Sequence, residues 1–261
     1  MRVTPAQIDC LWHQPEVNRE RLTQLFDTLS GQTDLIVLPE MFTSGFTQFP
    51  EKIHQEDSTI QWMQQQAARC DSAIVGSVAV ELETTTASDQ SVYVNRLIFV
   101  EPDGNYHKYD KVHLFTMADE HRRYQAGNTR KVIEYRGWRI LLTICYDLRF
   151  PVFCRNQNDY DMMLCVANWP SSRRNHWRSL LQARAIENQA YVIGVNRVGV
   201  DGNGLQYSGD SMVLDMQGQP LFDGQNKGEI LPTIAFDQKA LKNYREQFPA
   251  WQDADSFTLS L

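Results

Sequence analysis

Apolar and β-branched residues fall in short runs bounded by Gly, Pro or Asp, and each run reads as a strand: 34–39, 73–80, 93–100, 106–109, 138–144, 161–167, 191–195, 209–214 and 230–235. Between several of them the apolar period lengthens to that of a helix, over 16–29, 58–70, 152–156, 175–189 and 238–247. This alternation predicts an α/β fold. The runs 73–80 and 93–100 are joined by a polar segment, 83–91, too short for a crossover helix, so antiparallel pairs must be mixed with parallel ones. On the helix 175–189, Trp177, Leu180, Leu181, Arg184, Ala185 and Asn188 share one face, and two polar residues thus continue an apolar stripe. A buried arginine needs a partner, which Glu187 or a neighbouring element is expected to supply.

The run 138–144 delivers Cys145 to a polar turn just ahead of a predicted helix. A thiol facing the first free N–H groups of a helix gains thiolate character, and reaction with thiol reagents well below pH ~8 is the expected sign of it. Two other strand ends offer what such a thiol needs. The run 34–39 leads directly into Glu40, and Lys111 follows the run 106–109. A carboxylate is a weak base for a thiol unless burial strengthens it. A lysine beside the reaction centre can hold charge that develops on a carbonyl oxygen.

Composition narrows the classes. The 261 residues suit one domain over 1–261, and the apolar runs are far too short to span a membrane. Residues 1–8 carry no signal-peptide pattern, so a cytoplasmic location is expected. The net charge of −7 comes without a basic stripe, which speaks against nucleic acid as a partner. Cys10, Cys70, Cys145, Cys154 and Cys165 are odd in number and lack C-x-x-C spacing, so free thiols are expected rather than disulfides or a zinc site. The six histidines form no H-E-x-x-H, and neither a G-x-S-x-G nor a Walker motif occurs.

Three segments together carry a resemblance: Leu-Pro-Glu-Met-Phe at 38–42, Tyr-Asp-Lys-Val-His-Leu-Phe at 109–115 and Cys-Tyr-Asp-Leu-Arg-Phe-Pro at 145–151. They resemble the signatures of the nitrilase superfamily of carbon–nitrogen hydrolases. The likeness continues through Ala-Asn-Trp-Pro at 167–170, the segment 176–188 and Tyr207, Gly209 and Ser211. It implies a four-layer α-β-β-α sandwich of two mixed sheets, paired through its helices into a homodimer. It also implies Glu40 as general base, Lys111 as oxyanion cation and Cys145 as nucleophile, with Glu120, next to Asp119, as the glutamate that positions the lysine. The implied reaction forms a thioester and calls for neither a metal nor an organic cofactor.

The substrate is expected to be a small-molecule amide bearing an acid. Arg149 can offer a fork to a carboxylate, although a salt bridge with Asp147 or across a dimer would serve a structural role instead. Phe42, Phe115, Trp169 and Arg173 lie just past other strand ends, and the backbone N–H of Tyr146 can face an oxyanion. Within the superfamily the residues resemble the ω-amidases most, which act on 2-oxoglutaramate and 2-oxosuccinamate. Deaminated-glutathione amidase and N-carbamoyl amino acid amidohydrolase keep the same chemistry with another substrate. A non-catalytic oligomeric scaffold is the alternative of a different class.

Overall fold

A computed structural model of the protein describes residues 1–54, 56–82 and 91–261. Its strands and helices, in chain order, are β1 (Arg2–Pro5), α1 (Pro15–Phe26), β2 (Leu35–Val37), α2 (Glu56–Cys70), β3 (Ala73–Leu82), β4 (Val92–Val100), β5 (Tyr106–Asp110), β6 (Val132–Tyr135), β7 (Trp138–Ile144), α3 (Pro151–Cys154), β8 (Met162–Ala167), α4 (Arg174–Asn188), β9 (Tyr191–Asn196), β10 (Val198–Val200), β11 (Gln206–Ser208), β12 (Met212–Leu214), β13 (Pro220–Asp223), β14 (Ile234–Ala235) and α5 (Gln238–Gln247).

Two six-stranded sheets result, ordered β14-β1-β2-β3-β4-β5 and β13-β12-β9-β8-β7-β6, with β10 and β11 as a separate hairpin. Both are mixed. In the first, β1, β2 and β3 are mutually parallel, while β3 and β4 pair antiparallel from Ile74↔Val100 to Leu82↔Val92. In the second, β7, β8 and β9 are parallel and their neighbours antiparallel. Residues 83–90 of the polar β3–β4 connection lie outside the described residues.

Strand period 2 sorts the side chains into layers. Leu35 and Val37 of β2 join a core shared with the strands of the second sheet, whereas Ile36 and Leu38 face Leu22 and Phe26 of α1 and Met63 and Ala67 of α2. On the far side of the second sheet, Trp177, Leu181 and Ala185 of α4 pack against it. The order is helices, sheet, sheet, helix, the expected α-β-β-α sandwich. No described helix is long and apolar enough to cross a membrane.

Several boundaries move for local reasons. The first helix stops at Phe26 because Thr28, Ser30 and Gly31 form a turn, with Gly31 at φ +69°. The predicted helix 152–156 is a single turn ending at Cys154, since the Asn156 side chain accepts from the N–H groups of Asp159 and Tyr160 and closes a loop there. The predicted strand 209–214 begins only at Met212 because Gly209 and Asp210 have φ +70° and +56°. Arg184 meets the expectation: it donates to Glu187 Oε1 at 2.7 Å and, through Nε and Nη2, to the Leu148 carbonyl.

Candidate active site

The carboxyl ends of the central parallel strands of both sheets face one another, which is where open α/β sheets place their ligands. Beyond β2 the chain turns at Met41, φ +44°, and leaves Glu40 1% exposed. Its Oε1 accepts from Lys111 Nζ at 3.0 Å and Asn95 Nδ2 at 2.8 Å, and its Oε2 from the Asn168 N–H at 2.8 Å. Lys111 follows β5 directly, anchored by its own N–H on the Asn95 carbonyl at 2.9 Å. Its ammonium also meets both oxygens of the fully buried Glu120, at 2.9 and 3.0 Å. Glu120 rather than Asp119 thus meets the lysine; Asp119 is exposed and paired with Arg122. Asp119 itself takes a left-handed conformation, φ 54°, at the turn that swings Glu120 inward.

Cys145 directly follows β7 and opens a 3-10 turn, Cys145–Arg149, in the left-handed conformation at φ +45°. Such a conformation costs a non-glycine residue about 1 kcal/mol, so the surroundings must hold it. Cys145, Glu40 and Lys111 line one small cavity of about 70 Å³.

The charges decide the state of the thiol. One ammonium stands against two buried carboxylates. Burial alone would pull the Lys111 ammonium down, but Glu120 and Glu40 together hold its pKa well above the ordinary lysine value. The Cys145 thiol is pushed well above its ordinary value, first by burial and then by Glu40, with Lys111 opposing. The expected gain of thiolate character from a helix N-terminus is thereby corrected. The helix ahead, α3, is one turn long, and desolvation outweighs it.

The cavity wall is aromatic and cationic. Phe115, Trp169, Tyr146, Arg149 and Arg173 all line it, as expected. Arg149 lies 4.8 Å over the Trp169 ring and donates to His176 Nδ1 at 3.1 Å, and Arg173 lies 5.2 Å over Phe115. Among the described residues neither guanidinium pairs with a carboxylate, so the salt bridge from Arg149 to Asp147 is not made. Phe42 corrects the expectation made for it: it is fully buried under α2, against Gly76, where any Cβ would come within 2.6 Å of the ring. Phe46 takes the place in the wall.

Sequence reasoning missed Asn95, Asn168, Leu205 and Tyr207 as parts of the site. Asn95 left a signal. It is the polar member of the inward stripe Tyr93, Asn95, Leu97 and Phe99 of β4, all of them buried. Leu205 and Tyr207 arrive with the β10–β11 hairpin; Tyr207 belongs to the family likeness without a role read for it, and no local pattern points to Leu205.

Two layered mixed sheets that bring Glu40, Lys111, Glu120 and Cys145 together have the architecture of a carbon–nitrogen hydrolase. Residues 2–246 match the carbon–nitrogen hydrolase family, and the chain belongs to that family, within the nitrilase superfamily. Omega-amidase YafV of Escherichia coli strain K12 is 48% identical over 260 residues, covering 99% of this chain and 98% of its own. The 2-oxoglutaramate amidase of Bacillus subtilis is 32% identical, with 96% of each chain covered. The crystal structure of XC1258 from Xanthomonas campestris, a CN-hydrolase superfamily protein with an arsenic adduct in its active site, superposes with a TM-score of 0.93 at 46% identity, over 100% of this chain and 99% of that one.

Proposed function

We propose that this chain is a thiol amidase that hydrolyses the terminal amide of small 2-oxo acid amides, 2-oxoglutaramate and 2-oxosuccinamate, to the 2-oxo acid and ammonia. The observation that carries this reading is the pair of guanidiniums, Arg149 and Arg173, facing the same cavity as Cys145 without a carboxylate partner among the described residues. A substrate bearing a carboxylate and a neighbouring carbonyl oxygen satisfies both, and the cavity admits only a small one. The likeness to an omega-amidase of Escherichia coli and a 2-oxoglutaramate amidase of Bacillus subtilis supports 2-oxoglutaramate as a substrate.

The roles follow from the charges. Because the thiol rests protonated, the attack on the amide carbon is concerted with transfer of the Sγ proton to Glu40. Glu40 has its free lone pair on Oε2, since Oε1 already accepts from Asn95 and Lys111. The developing oxyanion is met by the field of Lys111 and the N–H of Tyr146. Collapse breaks the C–N bond, and the nitrogen leaves as ammonia with the proton from Glu40. Water then gives a proton to Glu40 as its oxygen adds to the thioester; the second collapse frees the acid and returns the proton to Sγ. Glu120 holds the ammonium in place and takes no proton in this cycle.

The test is ammonia release by the purified protein from 2-oxoglutaramate and 2-oxosuccinamate, beside glutamine, deaminated glutathione, an N-carbamoyl amino acid and a nitrile, with Cys145→Ala as control. Selective release from the 2-oxo acid amides, lost in the variant, is the expected result. Release from another compound alone moves the substrate, and release from none sinks the amidase reading. The same reading includes a homodimer, which sedimentation at micromolar concentration checks.

A further inference from the structure

Among the described residues, two fully buried carboxylates take no part in the reaction as written; Asp210 is paired with Arg174, whereas Asp147 has no such partner. Asp147 is 0% exposed, and among the described residues no lysine or arginine pairs with it. Four donors converge on it instead. Oδ2 accepts from the Tyr109 hydroxyl at 2.6 Å and from the Ile144 N–H at 2.9 Å. Oδ1 accepts from the His113 N–H at 3.0 Å and from His113 Nδ1 at 2.8 Å, which fixes the ring tautomer with its proton on Nδ1.

The positions of these donors are selective. Ile144 immediately precedes Cys145, and Tyr109 and His113 stand two residues to either side of Lys111. The Val112 N–H closes the loop by donating to the Tyr109 hydroxyl at 3.4 Å. The lysine loop, from the first sheet, is thus wrapped around a carboxylate that belongs to the cysteine turn of the second. Apolar packing could join the two sheets without desolvating a charge, so joining them does not by itself call for an aspartate here. What a carboxylate adds is direction. Its two oxygens fix the lysine loop and the residue before the strained Cys145 to the same atoms.

The geometry points to Asp147 as a positioning residue that sets the Cys145 turn against the Lys111 loop, an inference that rests on the roles proposed for those two residues. Asp147→Asn keeps the shape but turns an NH2 group toward two of the four donors, so the turn and the loop lose their common anchor. Misplacement on the order of 1 Å costs about 100-fold in rate. The expected result is kcat lower by about that factor with KM within about threefold of wild type, in protein whose circular dichroism and melting remain cooperative. Tyr109→Phe removes one of the same bonds and lowers kcat less. Because both act through one anchor, the double variant is expected to lie within about twofold of Asp147→Asn alone rather than at the product of the two effects.

A second arm does not depend on which amide is turned over. Alkylation of Cys145 by iodoacetamide at fixed pH is expected to slow at least tenfold in folded Asp147→Asn. If the wild type hydrolyses none of the amides, the proposed function falls and this arm still judges Asp147. A folded Asp147→Asn that keeps kcat and the alkylation rate within threefold overturns the inference, as does a loss of activity that only tracks the fraction folded. Should Asp147→Asn not fold, Tyr109→Phe and His113→Ala carry the test. Lower kcat at unchanged KM supports positioning, and unchanged kcat in both overturns it.

Discussion

Lys111 is 1% exposed, and its ammonium is held between Glu40 and Glu120, where burial pushes the Glu120 carboxyl up and Lys111 opposes it. Removing the cation strands both. Lys111→Met is expected to destabilise the fold by about 3–5 kcal/mol, read from denaturant midpoints, because breaking a buried pair leaves uncompensated charge. Burial first, and Glu40 after it, set the pH response of the nucleophile. Since the Cys145 pKa lies well above the ordinary thiol value of about 8.5, alkylation of the resting protein is expected to keep rising through pH 9, and a plateau reached by pH 7 would contradict the charge argument. Arg149 tests recognition. Its guanidinium is held by a ring and a histidine rather than by a carboxylate, so Arg149→Ala is expected to raise KM for acidic amides by about 10- to 100-fold, the worth of a hydrogen bond to a charged group. An equal effect on neutral amides would make its role structural.

At the scale of elements, α5 depends on its cap. The Asp237 side chain accepts from the N–H groups of Lys239 and Ala240 at 2.8 and 3.1 Å, and Asp237→Ala is expected to cost about 1 kcal/mol in thermal or denaturant unfolding. Helix α5 was legible over its full length, 238–247, since a capping aspartate and the amphipathic period agree. The long strands β3, β4, β7 and β8 were legible within two residues for a similar reason: buried positions on both faces give near-continuous apolar runs. Strand β1 was missed because Pro5 and two polar residues dilute a four-residue run, and β6, β10, β11 and β13 are three- or four-residue edge or hairpin strands whose pairing comes from their neighbours. The site divides likewise. Glu40, Lys111 and Cys145 stood out through their local signatures, whereas the bonds from Tyr109 and His113 to Asp147 were invisible because they span 38 and 34 residues.

Across the whole molecule, buried thiols and phenols govern behaviour in alkali. Burial pushes Cys10 up to about 11 and Cys154 up to about 12, and it raises Cys165, Tyr109, Tyr124 and Tyr160 as well. A group raised in the folded state keeps its proton there while the unfolded chain loses it, so stability is full below the unfolded values and declines as pH rises past them. Urea midpoints are therefore expected to fall from about pH 8.5 upward, and a flat profile to pH 10.5 would contradict the burial of these groups. The two-sheet plan has one more consequence. Glu40, Lys111 and Glu120 are all made before residue 130, whereas Cys145 and the strands around it come later and the C-terminal strand β14 returns to pair with β1. During synthesis Cys145 emerges after the sheet that carries Glu40 and Lys111, and it meets them only when the two layers close on each other. A nascent chain, or a fragment cut between the sheets, thus carries Cys145 as an ordinary thiol, and the change in its reactivity with alkylating reagents is itself a clock for the docking of the two halves.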